Sequence, residues 1–214
     1  MTVQVKICGI NAHEAMAAAI EGGADFVGFV FYPPSPRYLT PEQAASVAVP
    51  VPDTITTVGL FVDPEDSSLD STIERVDLGL LQLHGNESPA RVAEIRARYD
   101  IPIMKAIGIE EPADFDRAAA YVETVDWLLF DAKPPARGNA LPGGNGDAFD
   151  WTLVADRDWP VPWMLSGGLH PNNALEAIGV TGARAVDVSS GVEVAPGSKS
   201  PEYILAFLKA ARAA

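Results

Sequence analysis

The 214-residue chain carries 29 Asp and Glu against 15 Lys and Arg, a formal net charge of −14, with 48% apolar residues and one cysteine. That apolar content is enough for the core of one globular domain, while the acidic balance excludes a surface built to bind nucleic acid or anionic lipid, since both need clustered Lys and Arg. A lone cysteine closes no internal disulfide, the start MTVQVKICGI lacks the basic and apolar regions of a signal peptide, and no apolar stretch approaches the roughly 18 residues of a membrane span, so the expectation is a reduced, cytoplasmic protein.

Along the chain, short runs rich in Val, Ile, Leu and Phe alternate with Ala- and Glu-rich segments of helical period. The pattern predicts a strand over 3–7, a helix near 12–21, a strand over 26–31 and a helix over 41–48. It continues with a strand over 56–62, a helix over 65–75, a strand over 79–83 and a helix over 88–98. The later part gives strands over 102–107, 125–130, 162–166 and 184–188, separated by helices near 112–121, 147–156 and 171–178, and a last helix near 202–212. Thr40-Pro41, Ser88-Pro89 and Ser200-Pro201 each set a capping hydroxyl before a proline at a helix start. Residues 132–147, with three prolines and four glycines, read as a long loop after the sixth strand.

Eight strand–helix units of about 27 residues each predict an α/β fold, a single (β/α)₈ TIM barrel domain over 1–214 with an eight-stranded parallel core. Local pattern does not separate a closed parallel sheet from a doubly wound open one, but strands of similar length favour closure.

A barrel of this kind places its site at the C-terminal ends of its strands. In the first strand Val3, Val5 and Ile7 alternate with Gln4, Lys6 and Cys8. The apolar set is expected to face the helices and Cys8 to sit inward at the strand exit, as a small buried hydrophobe or as a thiol open to a ligand. Asp131 follows the bulky run WLLF, where it either caps a loop or serves as a general acid opposite a thiolate base. Arg37 stands in the proline-stiffened FYPPSPRYLT and fits a carboxylate clamp, with a solvated surface arginine as the alternative. His84 ends the fourth strand in phase with Gln82 and can titrate, orient a ligand or satisfy a neighbour.

The segments MLSGGLHPNN and VDVSSGVE follow the seventh and eighth strands and offer backbone amides to an anion. Gly167, Gly168, Ser189, Ser190 and Gly191 are the expected phosphate ligands, and Asp187 positions a sugar hydroxyl or a neighbouring cation or forms a structural salt bridge. Lys199 reads as a solvated lysine or a helper of the phosphate site, and Trp127, Trp151, Trp159 and Trp163 as packing of the outer layer. His13, His84 and His170 show no paired metal-ligand spacing, so no metal is expected.

The segments VKICGI, SPRYL, LQLHGNE, LLFDAKPP, LPGGNGDAFDW, LSGGLHPNN and VDVSSGVE, in this order from residue 5 to 193, together resemble the phosphoribosylanthranilate isomerase family. The resemblance implies a (β/α)₈ barrel of tryptophan biosynthesis that performs an Amadori rearrangement of a small phosphoribosyl substrate without metal or cofactor, as a monomer or homodimer. It further implies Asp131 as general acid, Cys8 as general base and Arg37 as the holder of the anthranilate carboxylate. His84 and the glycine segments containing Gly143, Gly144, Gly167, Gly168 and Gly191 would bind or close over the substrate. A free thiol titrates at about 8.5 and is mostly protonated at neutral pH, so Lys6 or the substrate's own iminium is expected to matter for Cys8. The loop opening DAKPP and the segment LSGGL depart from the usual family pattern of an Asp-Ser or Asp-Thr opening and Leu-Ala-Gly-Gly-Leu.

Overall fold

A computed structural model describes residues 2–134, 141–155 and 157–214. Eight parallel strands close a barrel: β1 Gln4–Cys8, β2 Phe26–Val30, β3 Thr56–Phe61, β4 Leu80–Leu83, β5 Ile103–Ile109, β6 Trp127–Ala132, β7 Trp163–Leu165 and β8 Ala185–Val188. Closure is made by β8 against β1, with Gln4 opposite Ala185 and Ile7 opposite Val188. The helices α1 His13–Glu21, α2 Pro41–Ala48, α3 Asp66–Ile73, α4 Pro89–Tyr99, α5 Asp114–Ala119, α6 Ala174–Thr181 and α7 Pro201–Ala211 lie between and after the strands.

The three predicted caps are real. Thr40 and Gln43 form a reciprocal capping box at α2, and the hydroxyls of Ser88 and Ser200 accept the amides of Arg91 and Tyr203. Such caps stabilise a helix end by about 1 kcal/mol each. Strand alternation then divides the apolar residues in two. Val5, Ile7, Val27, Phe29, Leu81 and Phe130 point outward into one continuous core with the helices. Phe26, Val58, Leu80, Met104, Leu129, Met164 and Ala185 point inward and fill the floor of the barrel.

Four expectations need correction. The helix expected over 147–156 is not formed by the described residues 147–155, which hold only a 3₁₀ turn at Trp151–Leu153, started by Asp150, whose carboxylate takes the amide and hydroxyl of Thr152. The residues before it are drawn across the barrel top, where the Ala148 backbone presses on Gly168. Helix α6 begins later than expected because the Asn173 side chain accepts the His170 amide and donates to the Gly168 carbonyl, fixing 170–173 as a turn. A two-stranded hairpin, β9 Glu193–Ala195 and β10 Ser198–Lys199, follows β8 and was not foreseen. Trp127 lies at the barrel floor, edge-on to Phe26 at 5.7 Å, whereas Trp151, Trp159 and Trp163 pack against the outer core. Among the described residues no helix is long and apolar enough to cross a membrane.

Candidate active site at the C-terminal mouth of the barrel

The C-terminal strand ends surround a recess of about 780 Å³, including its open mouth, into which Cys8, Arg37, His84, Asp131 and Asp187 face. Cys8 is inward and buried, as the alternation requires. Beneath it Lys6 is fully buried and donates to Asp187 at 2.8 Å, and Ser166 donates to the other Asp187 oxygen at 3.1 Å. Asp187 is thus joined to Lys6 in a buried salt bridge, the structural reading open to it. Burial pulls the Lys6 ammonium down, but the charge of Asp187 and its hydrogen bond work against it, and the pKa is held above the ordinary lysine value. The Cys8 thiol is pushed up by burial, with Lys6 pulling the other way. Cys8 therefore rests as a thiol at neutral pH.

Asp131 projects from β6 through the same alternation that buries Leu129 below it. One of its oxygens accepts the Ala132 amide at 2.8 Å, and the other lies 3.3 Å from His84 Nε2. Gln82 Nε2 stands 2.9 Å from His84 Nδ1. With the amide donating, the imidazole proton sits on Nε2, toward Asp131. His84 thus lies between two neighbours, Gln82 and Asp131, as the neighbour-satisfying reading expects.

Arg37 is neither free nor solvated. It leaves the loop that follows β2, which is tied back by a bridge between Val30 and Tyr38, and its side chain is buried in the recess wall. Glu193, from the hairpin, takes Nε at 2.7 Å and Nη2 at 2.9 Å. Nη2 also reaches the Gly144 carbonyl at 3.2 Å. Lys199, expected to be solvated, is buried and donates to Glu193 at 2.6 Å. Glu193 escaped the sequence reading because a lone carboxylate in a Ser-Gly-Val-Glu turn carries no periodic signal. Its partner Arg37 lies 156 positions away.

Gly167, Gly168, Ser189 and Ser190 line the recess. Among the described residues, the amides of Gly167, Gly168 and Ser190 make no hydrogen bond to the protein. Gly191 is not part of this lining: it packs against the Leu169 carbonyl and joins the loops after β7 and β8 from behind. Gly143 and Gly144 cover the site. A Cβ at Gly143 would stand 2.6 Å from His84 Nε2 and 2.9 Å from Asp131, and one at Gly144 would stand 2.5 Å from Arg37 Nη1. A side chain at either position would have to displace these polar groups, and Gly144 also holds a positive φ of 73°. Of the long loop after β6, residues 135–140 lie outside the described residues. No cluster of metal-ligating side chains occurs among the described residues.

A closed parallel barrel whose mouth gathers a thiol, a carboxyl, an arginine and bare loop amides defines an enzyme of the acid–base class acting on a small anionic molecule. The comparisons make this specific. Residues 5–210 match the family model of N-(5'phosphoribosyl)anthranilate isomerase, and the chain belongs to that family. It is 56% identical to the N-(5'-phosphoribosyl)anthranilate isomerase of Paramagnetospirillum magneticum, over 99% of this chain and 98% of the relative. It is also 56% identical to that of Rhodospirillum centenum, with both chains covered in full. The solved phosphoribosyl anthranilate isomerase of Thermotoga maritima superimposes with a TM-score of 0.87 at 40% identity, covering 99% of this chain and 100% of the other. A further isomerase structure, in complex with reduced 1-(o-carboxyphenylamino)-1-deoxyribulose 5-phosphate, gives 0.84 at 39% identity with the same coverage.

Proposed function

We propose that this enzyme converts N-(5'-phosphoribosyl)anthranilate into 1-(o-carboxyphenylamino)-1-deoxyribulose 5-phosphate, the isomerase step of tryptophan biosynthesis, with Asp131 as acid and Cys8 as base. The observation that carries the assignment is the placement of these two groups on β6 and β1, facing one recess from different sides of the barrel mouth. Asp131 gives its proton to the furanose ring oxygen, the C1–O bond breaks, and the anilino nitrogen becomes a protonated Schiff base. That cation, beside Cys8, draws the raised thiol toward thiolate, and the thiol proton passes to solvent. Cys8 then takes the C2 proton and leaves an enolamine. The enolamine then takes a proton at C1 from the Cys8 thiol and gives its hydroxyl proton to Asp131, which restores the acid, and the Cys8 thiolate regains from solvent the proton it first lost, so the transfers sum to zero. The rearrangement is redox-balanced within the substrate, so positioned acid and base groups suffice, each worth roughly 10² to 10⁴ in rate.

Arg37 is the natural partner of the anthranilate carboxylate, and the unpaired amides of Gly167, Gly168 and Ser190 suit the phosphate. This gives an enzyme of −14 net charge a local site for a polyanion. Residues 1–214 make one barrel domain that acts in the cytoplasm, as a monomer or homodimer. Both states are described for the Thermotoga maritima relative, whose dimeric form has yielded monomers.

The test generates phosphoribosylanthranilate in situ and follows loss of its fluorescence with the wild type and with Asp131→Asn. Conversion by the wild type and a loss of about 10² to 10⁴ in kcat for the variant are expected. No conversion by folded wild type would overturn the substrate assignment, and an active Asp131→Asn would remove the acid.

A further inference from the structure

The Arg37 side chain is committed to a carboxylate of its own chain. Glu193 covers the Nε and Nη2 edge of the guanidinium in a two-point pair, with both side chains almost fully buried at 6% and 4% exposure. Glu193 is itself pinned from two directions, by Lys199 at 2.6 Å and by the Gly197 amide at 3.2 Å. Lys199 reaches onward to the Ser189 carbonyl at 3.0 Å and hydroxyl at 3.3 Å. Burial would raise the Glu193 carboxyl, but the hydrogen bond from Arg37 and the charge of Lys199 hold it below the ordinary value, so it stays ionised. One carboxylate between two cations leaves one positive charge. The remaining nitrogen, Arg37 Nη1, makes no hydrogen bond among the described residues and lies under Gly144 at the recess.

We propose that Glu193 and Lys199 are positioning residues for substrate selection. By occupying one edge of Arg37, Glu193 turns the Nη1 end toward the substrate carboxylate. Through Lys199 and Ser189, the same hairpin sets the distance between the carboxylate end and the phosphate end of the site. A long side chain fixed before binding loses less freedom when the ligand arrives, so the tether converts more of the contact into affinity. It also makes the site select for a carboxylate beside the anilino nitrogen, because an unclaimed Nη1 is a buried donor left without a partner when that group is missing. The inference rests on the reading of Arg37 and the Ser189 loop given above.

The experiment compares two competitive ligands, reduced 1-(o-carboxyphenylamino)-1-deoxyribulose 5-phosphate and its phenylamino counterpart without the carboxylate, on the wild type, Glu193→Gln and Arg37→Lys. Glu193→Gln keeps the volume of the side chain and loses the charge. It is expected to shrink the preference for the carboxylated ligand by about tenfold, the scale of a lost charge-assisted hydrogen bond, to raise KM more than it lowers kcat, and to leave binding of the phenylamino ligand near wild type. Equal weakening of both ligands, or an unchanged or larger preference, overturns the positioning role. Should Glu193→Gln fail to fold, Lys199→Gln removes the other anchor and is held to the same outcomes. Arg37→Lys separates the carboxylate contact from the tether that positions it. If it keeps the preference, the carboxylate reading of Arg37 is itself wrong; if it loses the preference while Glu193→Gln keeps it, only the tether fails.

Discussion

The floor and the mouth of the barrel interior are built from the same strands, one pleat apart, and they are chemically opposite. Leu80 lies below Gln82, Leu129 below Asp131, Met164 below Ser166 and Ala185 below Asp187. Inward positions on one strand are spaced by about 6.6 Å, so the change from a sealed apolar layer to a polar, ligand-facing one takes a single step. In the floor, where nothing enters, stability comes from burial and close packing. At the mouth each buried charge requires a partner. Lys6 has Asp187, Asp187 also has Ser166, and Arg37 has Glu193. The two layers should therefore fail differently, the mouth in rate and the floor in stability.

Beyond Asp131→Asn, the largest expected effect at the mouth is that of Cys8→Ser. It should lower kcat by about 10² or more with little change in KM or in thermal midpoint, and steady-state kinetics beside a melting curve would decide. The wild-type pH profile sharpens the same point. A site that needs a protonated acid and an ionised base loses rate above the pKa of the base, because thiolate then stops accumulating while the protonated acid keeps falling. Burial pushes the Cys8 thiol up, so the alkaline fall of kcat/KM should lie above the ordinary thiol range of about 8.5 and should move in Cys8→Ser. A fall that begins near neutral pH would contradict Cys8 as the base.

The floor predicts the reverse pattern. Leu129→Ala, one pleat beneath Asp131, should lose about 2–5 kcal/mol of unfolding free energy in a denaturant titration, while the activity per folded molecule stays near wild type. A large loss of kcat at full folding would mean that the floor tunes the mouth directly. The smallest effect lies outside the barrel. Ser200→Ala removes the hydroxyl that accepts the Tyr203 amide at the start of α7, and about 1 kcal/mol of stability with unaltered kinetics is expected.

Much of this architecture is legible in the chain itself. Period-two alternation in VKIC places Lys6 and Cys8 on the inner face, the helix starts at Pro41, Pro89 and Pro201 announce themselves through their caps, and the strand-end positions of Asp131 and His84 follow from the apolar runs before them. These are local properties, fixed by neighbours a few residues apart. The segment 147–156 misled because its Ala and acidic residues carry a helical composition, while its backbone is held across the barrel top by contact with Gly168. Nothing within the segment encodes that contact.

The sequence by itself determined the alternation of strands and helices, the inward face of each strand and the residue types that could carry acid, base and anion chemistry, because each depends on a short period of side chains. Tertiary structure decided which of those groups meet. Barrel closure brings Lys6 within 2.8 Å of Asp187, 181 positions away, and the hairpin after β8 lays Glu193 on Arg37 across 156 positions. Both pairings exist because burying a charge is unfavourable without a partner. Only the closed barrel determines which charges are buried together.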